Sequence, residues 1–141
     1  MQLPKPAIQL INSGVHAHLA TLGRNGAPQL SMVWSAWIDG EICVASLTPR
    51  QKLRNVSRDP RVALSYESGE TDAEQGLRYY LVVEGRARVT EGGAPELLRT
   101  LAGRYLAPGT KFPRGDDPPA GWIMRISPTR WRGYGPWESG P

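Results

Sequence analysis

Apolar residues in this chain recur at every second position, and the runs that do so are separated by dipeptides suited to reversing direction. Period two places alternate side chains on opposite faces of a strand. Over Pro28 to Ile38, Leu30, Met32, Trp34, Ala36 and Ile38 share one face, and Ser31, Val33, Ser35 and Trp37 the other. From Tyr79 to Thr90, Leu81, Val83, Gly85, Ala87 and Val89 alternate with Glu84, Arg86, Arg88 and Thr90. Further strands are predicted over His16–Leu22, Glu41–Leu47, Arg61–Glu67, Gly121–Ser127 and Arg130–Tyr134. Asn25-Gly26 and Asp39-Gly40 are hairpin turns, because these residue types tolerate positive φ.

Helical patterns interrupt the strands at three places. Ala7–Ser13 carries Ile8 and Ile11 on one side, and Pro95–Leu106 has a stripe of Leu97, Leu98, Leu101, Ala102, Tyr105 and Leu106. The third follows Leu47 directly. Thr48 reads as its N-cap, Pro49 as its first residue and Gln51 as the capping-box partner, with Asp59-Pro60 stopping it. The stretches 68–78 and 107–120 read as surface loops.

A chain of 141 residues with 40% hydrophobic content supports one domain spanning 1–141. Long antiparallel strands in so short a chain favour closure, because closure removes exposed edges. The expected class is therefore mainly β with short helices, as an antiparallel barrel. No apolar run approaches the roughly 18 residues of a membrane span. The first residues do not form a secretory signal, and Cys43 has no partner for a disulfide, so a cytoplasmic protein is expected.

Charge is concentrated. Between Pro49 and Arg61 lie Arg50, Lys52, Arg54, Arg58 and Arg61 against one acid, Asp59, a surplus equal to the net +4 of the whole chain. Helix starts attract anions through free N–H groups and the dipole. Arg50 and Lys52 sit where a cation opposes that dipole, a local conflict that a bound phosphate would resolve. The plainer alternative is a solvated basic helix face. His16 and His18 lack further ligands for a metal, and Cys43 between Ile42 and Val44 reads as a small buried residue. Phosphate-loop, dinucleotide and nucleophile-elbow motifs are absent from the sequence. Nucleic-acid binding is disfavoured, because the cations gather at one helix start instead of tracking a groove.

The stretches His18-Leu19-Ala20-Thr21-Leu22, Gly26-Ala27-Pro28-Gln29-Leu30-Ser31, Pro49-Arg50-Gln51-Lys52-Leu53-Arg54-Asn55 and Asp59-Pro60-Arg61-Val62 resemble the pyridoxamine 5'-phosphate oxidase-like split-barrel flavoproteins. Val83-Glu84-Gly85-Arg86-Ala87 and Ile126-Ser127-Pro128-Thr129-Arg130-Trp131 fit the same pattern. Within that superfamily the chain looks most like the deazaflavin (coenzyme F420)-dependent reductases. The resemblance implies an FMN-binding-like split barrel and a homodimer with cofactor at the interface. It carries phosphate binding onto Arg50 and Lys52, with Ser46 and Thr48 as hydroxyl donors. Gln29 and Ser31 fall beside the ring or phosphate, Arg54 and Asn55 are further candidates, and Trp131, Tyr134 and Trp137 would wall the partner's site. The implied activity is hydride transfer from reduced F420 to a small organic acceptor. FMN-dependent chemistry and non-catalytic cofactor binding are the alternatives.

Overall fold

The computed structural model describes residues 2–137. Their elements run α1 (Lys5–Ile11), β1 (Ala17–Leu22), β2 (Pro28–Val33), β3 (Ala36–Ile38), β4 (Glu41–Ser46), α2 (Gln51–Arg58), β5 (Arg61–Thr71), β6 (Arg78–Glu91), α3 (Ala94–Tyr105) and β7 (Trp122–Tyr134). The fold is mainly antiparallel β with three short helices, as the alternation predicts. Among the described residues no helix is long and apolar enough to cross a membrane.

The strand order is β2-β1-β5-β6-β7-β4-β3, so the two outermost strands are neighbours in sequence, separated by Trp34 and Ser35 alone. A flat sheet cannot bring its opposite edges within two residues of each other. The sheet therefore wraps round into a barrel whose seam lies at this corner. Inside it, Leu19, Val33, Ile42, Val44, Leu64, Tyr66, Leu81, Val83, Met124 and Ile126 form one apolar core. Helix α2 packs against β1 and β6 through buried Leu53 and Val56. Helix α3 lies outside β4, where Leu97 and Leu101 meet Ala36, Cys43 and Ile123. Ile42, Cys43 and Val44 are consecutively buried because β4 is covered on both faces.

The run expected as one strand, Pro28 to Ile38, is instead two. Ser35 leaves the ladder because side chains take its polar groups: its N–H donates to the Tyr105 hydroxyl at 3.1 Å, and its Oγ pairs with Tyr66 Oη at 2.7 Å. The opposite correction applies at the C-terminal end. Gly121–Ser127 and Arg130–Tyr134 are not separate strands but parts of continuous β7, which absorbs Pro128 at a register shift opposite Glu84 and Gly85. A bulge accommodates the residue that cannot donate to a ladder. Strand β5 also runs four residues past the expected Glu67, across another shift, into what reads as loop. Asp39 and Gly40 turn at φ 50° and 81°, as the hairpin requires.

Gly85 shows why that bulge admits no side chain: a Cβ there would lie 2.5 Å from the Ser127 carbonyl oxygen and 2.9 Å from Ile126 Cγ2. Gly85→Ala is expected to destabilise the protein by about 2 kcal/mol or more in urea unfolding. Gly69→Ala, whose Cβ meets nothing within 4 Å, should change stability by less than about 0.5 kcal/mol.

Candidate functional site

Beside the barrel seam, β2, β4, the start of α2, α3 and the loop residue Phe112 enclose a cleft of about 670 Å³. Its polar lining comes from Gln29 and Ser31 on β2 and from Arg50, Gln51 and Lys52 at the start of α2. Met32, Trp34, Val44, Leu98 and Phe112 supply much of the apolar remainder. Among the described residues no carboxylate lines it.

The inward face of β2 carries Gln29, Ser31 and Val33, while Leu30 and Met32 lie on the other face, 67% and 61% exposed, with Met32 at the rim of the cleft. Alternation thus delivers two polar side chains to the cleft. Ser31 Oγ is buried and, among the described residues, is the one buried side-chain polar atom without a hydrogen-bond partner. Such an atom carries a desolvation cost that a ligand group can relieve.

The helix begins later than its capping signature predicts. Its N-cap is Arg50, with extended φ/ψ of −75° and 165° and no side-chain cap. Thr48 is exposed and takes part through its carbonyl, which accepts the Arg50 N–H at 2.9 Å. Gln51 has no capping-box role, because its side chain turns into the helix to reach Asn55. The correction brings Arg50 and Lys52 closer to the free N–H groups that every helix start leaves. Burial, followed by repulsion from Arg50, pushes the Lys52 ammonium below its ordinary pKa. Two cations share this wall, with no acid among the described residues that line it.

Of the residues singled out from sequence, Gln29, Ser31, Arg50 and Lys52 therefore converge on one cleft. The others do not. Ser46 is buried in β4 opposite Trp122. Arg54 opens onto a separate groove with Arg24, Arg58 and Trp122. Asn55 is fully buried, and its side chain is consumed by protein hydrogen bonds to Thr21, Gln29, Gln51 and Arg58. Trp137 joins its own chain's core and donates to the Tyr80 carbonyl. Trp131 donates to the Trp137 carbonyl, and Tyr134 donates to Asp72.

Sequence reading missed Gln51, Trp34 and Phe112. Gln51 was hidden by the capping-box pattern. Trp34 lies stacked on Tyr105, centroids 4.9 Å apart and planes at 9°, with Phe112 at 5.3 Å on Trp34 as well. Phe112 comes from a proline-rich loop with no periodicity to place it.

The family model for pyridoxamine 5'-phosphate oxidase matches residues 7–135. An F420 reductase of known structure is 28% identical, with a TM-score of 0.70 over 92% of this chain and 98% of its own. The conserved hypothetical protein Rv2991 from Mycobacterium tuberculosis is 29% identical, with a TM-score of 0.71 over 95% of this chain and 85% of its own. HutZ, the heme storage protein from Vibrio cholerae, shares the fold at 17% identity, with a TM-score of 0.62 and 94% coverage of both chains. No curated protein sequence matches the chain.

An uncompensated cation in a half-buried wall destabilises the ligand-free protein. Lys52→Met should therefore raise its melting temperature by about 2 °C near neutral pH. Because the folded pKa of Lys52 lies below its unfolded value, the wild-type penalty is present at neutral pH. It is relieved as pH rises through the folded pKa, so the gap between the two proteins should narrow in alkali. A Lys52→Met protein melting lower than wild type at neutral pH would contradict this.

Proposed function

The chain belongs to the pyridoxamine 5'-phosphate oxidase family, and from that premise we propose an oxidoreductase that takes hydride from reduced coenzyme F420 to a small organic acceptor. One observation carries the assignment of the site: Arg50, Lys52 and the Ser31 hydroxyl, which has no partner among the described residues, face a single cleft. The donor set fits a phosphorylated cofactor. Arg50 and Lys52 would hold the phosphate through charge-assisted bonds. Ser31 would give its unsatisfied hydroxyl to the bound molecule, and Gln29 a further polar contact.

When bound, the deazaflavin supplies the hydride, which is the difficult chemistry. The chain's own residues bind, orient and exclude water. Trp34, which packs against Tyr105 and Phe112, and Leu98 give the cleft apolar walls for an aromatic ring. Orientation of two reactants against such a surface lowers the barrier without a protein nucleophile. Arg54 and Arg58 lie in another groove, so the cations of the cleft do not by themselves distinguish F420 from FMN. The preference rests on likeness to the F420 reductase. FMN is the second reading, because its phosphate suits the same cations, and a yellow colour on purification would mark it.

The same proposal treats residues 1–141 as one cofactor-binding domain that pairs with a second copy. Leu30 and Met32 are exposed on the outer face of β2, where Ala20 lies opposite Leu30 and His18 opposite Met32, with Ala63 and Ser65 next in line. Two exposed apolar side chains on the strand that borders the cleft suit a symmetric partner.

Two measurements test these readings. Replacing both Arg50 and Lys52 with Ala should weaken binding of F420, or of FMN if that is the cofactor, by about a hundredfold, ~3 kcal/mol. Unchanged affinity in that double variant would remove the site assignment. Met32→Glu combined with Leu30→Glu should shift a dimer to monomer in light scattering, and a wild-type monomer would overturn the pairing.

A further inference from the structure

Asn55 is the most heavily engaged buried polar side chain near the cleft, yet none of its atoms reaches the cleft. Its Nδ2 donates to Thr21 Oγ1 at 3.0 Å and to Gln29 Oε1 at 2.8 Å. Its Oδ1 accepts from Gln51 Nε2 at 2.9 Å and from Arg58 NH2 at 3.3 Å. The direction of this chain of amides follows from Arg58. A guanidinium can only donate, so the atom of Asn55 facing it has to be the oxygen. Reversing Asn55 would set two donors against each other. Arg58 is itself held by the Leu22 carbonyl at 3.0 Å, so the polarity is anchored in the backbone of β1.

The consequence reaches the cleft through two glutamines that line it. Gln29 spends its oxygen on Asn55 and keeps its NH2 for a ligand. Gln51 spends its NH2 and keeps its oxygen. Asn55 therefore sorts two chemically identical side chains into one donor and one acceptor, both within hydrogen-bond reach of its own amide.

We infer that Asn55 is a positioning residue that, polarised by Arg58, presents a donor at Gln29 and an acceptor at Gln51 to an imide edge, the adjacent C=O and N–H of a pyrimidinedione ring. The inference rests on the flavin or deazaflavin reading above and adds which edge of the ring the cleft reads. A ligand that shows the reverse pattern would meet donor against donor at Gln29 and lose affinity accordingly.

Two near-isosteric variants invert the donor. Gln29→Glu places a carboxylate oxygen where the NH2 stood. Asn55→Asp offers only acceptors, so the Gln29 amide has to turn over to donate inward, leaving its oxygen toward the ligand. Both are titrated with F420, its phosphate-free deazariboflavin core, FMN and riboflavin. Whichever of these pairs wild type binds should weaken by about tenfold in each variant, by loss of a hydrogen bond and exposure of acceptor to acceptor. The phosphate-free ligand must lose affinity as well, because the carboxylate that each variant adds near Arg50 and Lys52 weakens phosphate binding by itself. Unchanged affinity, or a loss confined to the phosphorylated ligands, would overturn the inference.

A ligand-free measurement separates it from the cofactor reading. By NMR, the side-chain amide protons of Gln29 should exchange rapidly with water in wild type and slowly in Asn55→Asp. Wild type binding none of the four ligands would end the cofactor reading, while this exchange contrast still decides the role of Asn55. An Asn55→Asp chain that does not fold leaves Gln29→Glu as the deciding variant.

Discussion

Seven strands share one interior here only because Trp34 and Ser35 carry the chain from one edge of the sheet to the other. At that corner the ladder is given up, and side chains take over its hydrogen bonds. The Tyr105 hydroxyl accepts from the Ser35 N–H and donates to the Val15 carbonyl at 2.9 Å, while fully buried Tyr66 meets Ser35 Oγ. Burial drives the Tyr66 phenol well above its ordinary pKa, so its proton remains available to this pair at any physiological pH. Tyr105 comes from α3, Tyr66 from β5 and Val15 from the approach to β1. The corner thus ties together elements far apart in sequence, and the cleft lies directly beside it.

The cleft inherits its chemistry from that closure. One wall is β2, whose alternation turns Gln29 and Ser31 inward. Another is β4, apolar on both faces because α3 covers its outer side. The third is the start of α2, which brings Arg50 and Lys52 with no acid among the described residues of the lining. Lys52 is half-buried next to Arg50, a costly arrangement in isolation. Function-bearing sites commonly hold such local conflicts, and the orphaned Ser31 hydroxyl is a second one in the same space.

Much of the architecture was legible in the chain. Asp39-Gly40 announces its turn because few residues accept positive φ, and Leu81 to Val89 alternate cleanly because that strand buries one face. The failures have equally specific causes. Pro128 looks like a break between strands, but Gly85 on the neighbouring strand makes room for a bulge there. The run from Pro28 to Ile38 alternates without interruption, yet the partners that draw Ser35 out of the ladder are 31 and 70 residues away. Thr48-Pro49-Arg50-Gln51 satisfies a local capping rule, yet the helix starts later, and the Gln51 amide bonds Asn55 instead of closing the box.

By itself, then, the sequence determined the mainly antiparallel class, the turns, and a concentration of cations at one strand-to-helix junction. Those properties depend on residues adjacent in the chain, through backbone sterics, period and charge. Tertiary structure decided which of the cations meet Gln29 and Ser31 and which, like Arg54, face a different groove. It also decided that Asn55 acts inside the wall instead of at its surface. Adjacent helix positions point in different directions, and only the packing of α2 against the barrel fixes which of them look into the cleft.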